Sequence, residues 1–135
     1  MGEAADLVRQ AFERFNAGDD EGFLELFSKR IVWRDVPEIP DSQTYHGPDG
    51  VREWMENVRE PTEGLRFVRW DIIESDDAVA VDTSAEGRGR SSGVEVGWRF
   101  WTVWRVKNGL ITYHHGWSEK DDALADLRGE KNAQN

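Results

Sequence analysis

The sequence predicts an α+β fold in which helices gather on one face of a curved, mainly antiparallel sheet. Three observations predict it. Apolar residues from Ala4 to Val58 recur mostly at helical spacing, and those from Phe67 to Trp117 mostly alternate. Asn108-Gly109 supplies the two positive-φ positions of a tight hairpin between aromatic-rich runs.

The elements follow in order. Residues 3–16 form an amphipathic helix with Ala4, Leu7, Val8, Ala11, Phe12 and Phe15 on one stripe, ended by Gly18. Asp19 or Asp20 caps a shorter helix whose apolar positions are Phe23, Leu24, Leu26 and Phe27. Ile31 to Val36 alternates as a strand, which sets Asp35 on the face of Ile31 and Trp33. Pro37 to Gly47 lacks periodicity and reads as a pocket rim; its His46 is expected to be exposed. Pro48 opens a helix buried through Val51, Trp54, Met55 and Val58, and Pro61 and Gly64 close it. Phe67–Glu74 and Ala78–Glu86 are strands joined by Ser75-Asp76-Asp77, and 87–93 is a hairpin loop. Val94–Val106 and Leu110–Trp117 make the last hairpin. Ser118 and Asp121 form a capping box for a terminal helix that carries Ala123, Leu124 and Leu127 and stops at Gly129. The expected organisation is one domain over 1–129, with 130–135 a flexible tail that has almost no apolar surface to bury.

Composition narrows the function. A formal net charge of −10 argues against nucleic-acid binding, which needs a basic face. The chain has no cysteine, which removes disulfides, thiolate metal sites and a cysteine nucleophile. It has no apolar run of membrane-spanning length, and MGEAADLV lacks the basic start and apolar stretch of a signal peptide. A cytoplasmic protein without membrane partners is the expectation. Three histidines, two of them adjacent on a strand and so pointing to opposite faces, argue against a metal site.

The last hairpin carries more aromatic surface than one small core needs, which points to a lined pocket, a subunit interface, or both. Alternation puts Trp98, Phe100, Thr102, Trp104 and Val106 on one face and Arg99, Trp101, Val103 and Arg105 on the other. On the return strand Ile111, Tyr113, His115 and Trp117 are expected to share a face opposite Thr112, His114 and Gly116, although which histidine faces inward is left open.

Several segments carry a family resemblance: Ala17-Gly18-Asp19, Val32-Trp33-Arg34-Asp35, the Gly47-Pro48 helix start, and the ending from Gly109-Leu110-Ile111 to Ser118-Glu119. With the element order, they resemble the nuclear transport factor 2-like superfamily, most of all its SnoaL-like polyketide cyclase and ketosteroid isomerase branches. The resemblance implies a conical α+β barrel, a strongly curved sheet wrapped around N-terminal helices with a deep apolar pocket. It implies that Asp35 stands where ketosteroid isomerases carry their general base, and that Trp117 lines the pocket. The two oxyanion donors of those isomerases fall on Ala11 and Thr102, which disfavours steroid isomerisation.

The leading expectation is therefore a cofactor-free, metal-free enzyme that moves a proton on a small apolar carbonyl-bearing or cyclic molecule. Asp35 acts as base with His115 or Tyr113. The pocket wall is expected from Phe15, Trp33, Trp54, Trp98, Phe100, Thr102, Trp104 and Trp117. The alternatives are a non-catalytic ligand-binding protein and a dimerisation module. Trp101 and Val103, opposite the cone, predict a homodimer, as the resemblance does.

Overall fold

The computed structural model describes residues 2–130, so the expected tail from residue 131 onward lies outside the described residues. The elements are α1 (Glu3–Asn16), α2 (Asp20–Leu24), β1 (Phe27–Arg34), β2 (Thr44–His46), α3 (Gly47–Arg59), β3 (Thr62–Ser75), β4 (Ala78–Gly89), β5 (Glu95–Lys107), β6 (Leu110–Trp117) and α4 (Lys120–Leu127). The strands form one sheet in the order β2-β1-β6-β5-β4-β3. Pairing is antiparallel except between β1 and β6, which run parallel. The expected α+β class and mixed, mainly antiparallel sheet are thus present, with β2 and β3 left as open edges rather than closed on each other.

Each helix forms for a local reason. The buried stripe of α1 runs through Ala4, Val8, Ala11, Phe12 and Phe15, and removing it from water against the sheet is what stabilises the helix. Asp19 is the cap of α2, its carboxylate accepting the Gly22 N–H at 3.0 Å. Proline sits in the first turn of α3, where its missing N–H costs nothing, and Val51, Trp54 and Met55 are buried behind it. These helices, with the inward residues of β1, β4, β5 and β6, make the main core.

Five sequence expectations are corrected. The first strand begins at Phe27 and ends at Arg34, with Asp35 just past it. The rim loop contains a short strand, β2, too brief to show alternation, paired with β1 from Val32 to Arg34. The hairpin loop expected over 87–93 is shorter, because β4 continues to Gly89. The capping box does not form: Glu119 is the cap residue of α4 and makes no side-chain cap bond, while the Ser118 hydroxyl donates to the Glu38 carboxylate. The last correction bears most on function. Asn108 and Gly109 do take positive φ, 54° and 78°, but the ladder then shifts register between Arg105 and Val106. Val106 pairs with Ile111 and Arg105 with Tyr113, so Thr112 is an extra, bulged residue. Beyond a one-residue bulge every side chain changes face relative to simple alternation. Ile111 and His114 therefore share the inner face, whereas Tyr113 and Trp117 fall outside.

That outer face is covered. Ala123 and Leu127 of α4 lie over Ala78, Ala80, Val103 and Trp117, with Trp101 packed at the edge. Val103 is fully buried, so it does not belong to an open hydrophobic patch, and Lys120 stands 5.7 Å above the Trp101 ring. The docking residue is Asp126. Its carboxylate, 3 % exposed, accepts Tyr113 Oη–H at 2.8 Å and Trp117 Nε1–H at 2.9 Å and lies 3.4 Å from Arg105 Nη2. Burial first, then the Asp126 carboxylate, drives the Tyr113 phenol far above its ordinary pKa. Beyond α4 the outer sheet is polar, with Asp82 bridging Arg99 at 2.9 Å and Arg69 at 3.4 Å.

Candidate functional site

Between the inner face of the sheet and α1 and α3 lies a cavity of about 510 Å³. Trp33 and Asp35 reach it from β1 and its end, Trp54 and Asn57 from α3, Phe12 from α1, and Phe67 from β3. Trp98, Phe100, Thr102 and Trp104 come from β5 and His114 from β6. Val36, Ile39, Pro40 and Asp41 form the rim, and Ile39 and Trp98 are exposed there at 46 % and 43 %. A wider depression of about 750 Å³ lies at the far end of β3, β4 and β5, floored by Gly64, Gly87 and Gly97. It is lined mainly by glycine and charged side chains, of which Arg88 and Glu95 pair at 3.9 Å, and it holds none of the candidate residues. The candidate residues that converge do so in the cavity.

Alternation along β1 buries Ile31 and Trp33 and leaves Asp35 half-buried on the cavity wall. Gly116 lets the Asp35–Val36 segment lie against β6: a Cβ at that position would meet Val36 Cγ2 at 2.8 Å and Val36 N at 3.1 Å. Asp35 Oδ2 accepts the Gln43 N–H at 3.1 Å, and the Asp35 N–H donates to the Gln43 carbonyl at 3.1 Å, so the neck of the rim loop fixes the carboxylate. Burial pushes the Asp35 pKa up, and the Gln43 bond offsets part of that rise. Among the described residues no cation pairs with it.

The inner end is aromatic and neutral. The His114 ring stacks on Trp33 at 3.7 Å and meets Trp104 edge-on at 4.6 Å. Burial, with a smaller push from adjacent His115, holds His114 well below the ordinary imidazole range, so the ring is uncharged at physiological pH. Its Nδ1 and the Trp33 Nε1 are buried without a hydrogen-bond partner. The hydroxyls nearby are already committed. Thr83 donates to the Val81 carbonyl at 3.1 Å, so in the 3.1 Å Thr83–Thr102 contact Thr102 is the donor, and Trp104 Nε1 donates to Thr102 at 2.8 Å. Every proton in this chain points along it, and Thr102 keeps only a lone pair to offer. Among the described residues no three of His, Asp or Glu converge as metal ligands.

The pattern of the SnoaL-like domain matches residues 8–114. The chain belongs to the SnoaL-like family. Among curated proteins no sequence matches it. Solved structures resemble this SnoaL-like chain over nearly its whole length. An NTF2-like protein of unknown function from Burkholderia pseudomallei is 22% identical, with a TM-score of 0.77 over 94% of this chain and 98% of that one. A ketosteroid isomerase from Mycobacterium sp. is 22% identical, with a TM-score of 0.74 over 90% and 96%. A Mycobacterium tuberculosis protein in complex with estradiol-17beta-hemisuccinate is 20% identical, with a TM-score of 0.74 over 90% and 97%. The SnoaL-like branch and the α+β fold expected from the sequence are those found.

Of the residues singled out from sequence, the SnoaL-like cavity brings together Asp35, Trp33, Trp54, Trp98, Phe100, Thr102 and Trp104. It does not include four others. Tyr113, His115 and Trp117 stand on the outer face, moved there by the bulge at Thr112, and His115 stacks on Trp117 at 3.8 Å rather than approaching Asp35. Phe15 is a core residue packed on Phe23, Trp54 and Phe67, with the Arg59 guanidinium 4.6 Å above its ring. His114 takes the inward place that the hairpin left open. Asn57 is a further cavity residue: although exposed, it stands one turn beyond Trp54 on α3 and donates to the Tyr45 hydroxyl at 3.0 Å, and a polar residue at that spacing from Trp54 is the signal that marks it.

Proposed function

We propose that the protein performs cofactor-free proton transfer on a small apolar carbonyl compound, with Asp35 as general base and neutral His114 as the polar group facing the developing oxyanion. One observation carries this reading. Asp35 is a desolvated carboxylate on an aromatic-walled cavity, without a cationic partner and with its pKa raised toward the range where a carboxylate is an effective base. Support also comes from the relatives, which include a ketosteroid isomerase and a protein in complex with a steroid derivative. The test needs no natural substrate. In D₂O, wild-type protein should speed exchange of the α-hydrogens of 2-tetralone above buffer, and Asp35→Asn should lose roughly 10²–10⁴ of that gain. Exchange at the buffer rate, or unchanged in Asp35→Asn, would refute the base assignment.

The committed proton of Thr102 favours a second reading, a non-catalytic binding protein, because an enolate would find few donors in the cavity. Tight binding of 2-tetralone without exchange would select it. In either case we read the assembly as a cytoplasmic homodimer. Family resemblance supports the pairing, and with Val103 covered by α4 the surface left for a partner is the outer sheet around Ile73 and Trp101. Sedimentation equilibrium should give a dimer at micromolar concentration, dissociated by Trp101→Glu; a wild-type monomer would count against it.

A further inference from the structure

The charge lining the cavity says more about the ligand than its volume does. Four tryptophans, Trp33, Trp54, Trp98 and Trp104, line it, and among the described residues the acidic side chains on its wall and rim are Asp35 and Asp41. Among the described residues no lysine or arginine lines it, and burial holds its histidine well below the ordinary imidazole range. A half-buried carboxylate normally recovers its lost hydration from a cation, and among the described residues Asp35 receives one backbone N–H, that of Gln43, and no cation. Indole rings attract cations through their faces, and a water-poor cleft lined by one sign of charge concentrates ligands of the other sign. An anionic ligand, by contrast, would face two acids with no counter-charge.

We propose that the cavity is selective for an apolar, ring-bearing molecule that carries a protonated amine, with the ammonium placed beside Asp35 near the rim and the ring system among the tryptophans. The inference rests on the reading of this cavity as the small-molecule site and adds the charge of what it takes. It concerns recognition alone: an ammonium held beside Asp35 lowers the carboxylate's pKa again, so such a molecule is a ligand of the cavity and not the compound from which Asp35 removes a proton.

Three probes of one shape separate the possibilities: 9-anthracenemethylamine, 9-anthracenemethanol and 9-anthracenecarboxylate, cationic, neutral and anionic at pH 7.5. Binding is read by energy transfer from tryptophan to anthracene. The amine should bind roughly tenfold more tightly than the alcohol, with the carboxylate weakest. Asp35→Asn, which keeps shape and volume, should bring the amine-to-alcohol affinity ratio measured in that variant close to one, and Asp41→Asn should lower the ratio by a smaller part. Should the alcohol match the amine, the charge inference is overturned while the cavity reading stands. Should the amine's advantage persist in both variants, it belongs to the overall net charge of −10 and not to the site, and the inference is equally overturned. Failure of all three probes to bind would defeat the cavity reading as well. The wild-type ranking needs no variant to fold.

Discussion

Asp126→Ala should lower the stability of the protein by about 3–5 kcal/mol, the largest effect expected of any single polar substitution here. The carboxylate is almost wholly buried and is the acceptor for the Tyr113 hydroxyl and the Trp117 indole N–H, with Arg105 beside it. Removing it takes the carboxylate acceptor away from the Tyr113 hydroxyl and the Trp117 indole N–H under α4, while Arg105 keeps its bond to the Asp126 backbone carbonyl, and buried donors that lose an acceptor cost more than satisfied ones contribute. Asp126→Asn keeps one acceptor oxygen and should lose less than half as much. Urea denaturation would show the effect as a shift of the midpoint at unchanged slope. A midpoint for Asp126→Ala within experimental scatter of the wild type would mean that α4 is not held by this residue.

The second large effect is at Trp33. It is 2 % exposed and in ring contact with Phe23, Phe27, Trp54, Trp104 and His114. Trp33→Ala should therefore cost about 3–5 kcal/mol through lost burial and the cavity left behind. Trp33→Phe should be much milder, because it retains an aromatic ring and eliminates an indole N–H that has no partner. The two variants also report on the site. Without the Trp33 ring, His114 loses its stacking cover, so its pKa should climb back toward the ordinary imidazole range. Proton NMR of the imidazole signals would follow that rise, and a His114 that still fails to titrate in Trp33→Ala would show that other neighbours keep it dry.

How much of this could be read from sequence depended on whether strict alternation held. Along β1 it held, and Trp33 and Asp35 were placed together on the cavity wall from the sequence alone. Along β5 it held again, giving Trp98, Phe100, Thr102 and Trp104. On β6 it failed at one residue. Thr112 is as good a strand residue as its neighbours, so its insertion leaves no compositional mark, and the rings that follow it at both odd and even positions, Tyr113, His114, His115 and Trp117, allow either parity. Simple alternation sets Tyr113 and Trp117 on the cavity side and leaves the choice of histidine open, whereas the bulge turns Tyr113, His115 and Trp117 outward and His114 inward. The lock at Asp126 was legible but unread. An acid beside Leu127 and three residues after Ala123 lies on the apolar face of a helix, where it is costly unless it meets donors.

The parallel pairing of β1 with β6 has a consequence for how the chain reaches this state. Trp33 lies opposite His114 and Arg34 opposite His115, so one wall of the cavity joins an early strand to the last one. Contacts that close so long a loop carry a large entropic cost and form late. The β3–β4–β5 meander can assemble from neighbouring segments as the ribosome extends the chain, but β1 must wait for β6 before it has a sheet to join. Until then Trp33 and Phe27 have Phe23 of α2 and Trp54 of α3 to pack against but lack Trp104 and His114 on the sheet side, and this interval is when a nascent chain most needs protection from aggregation.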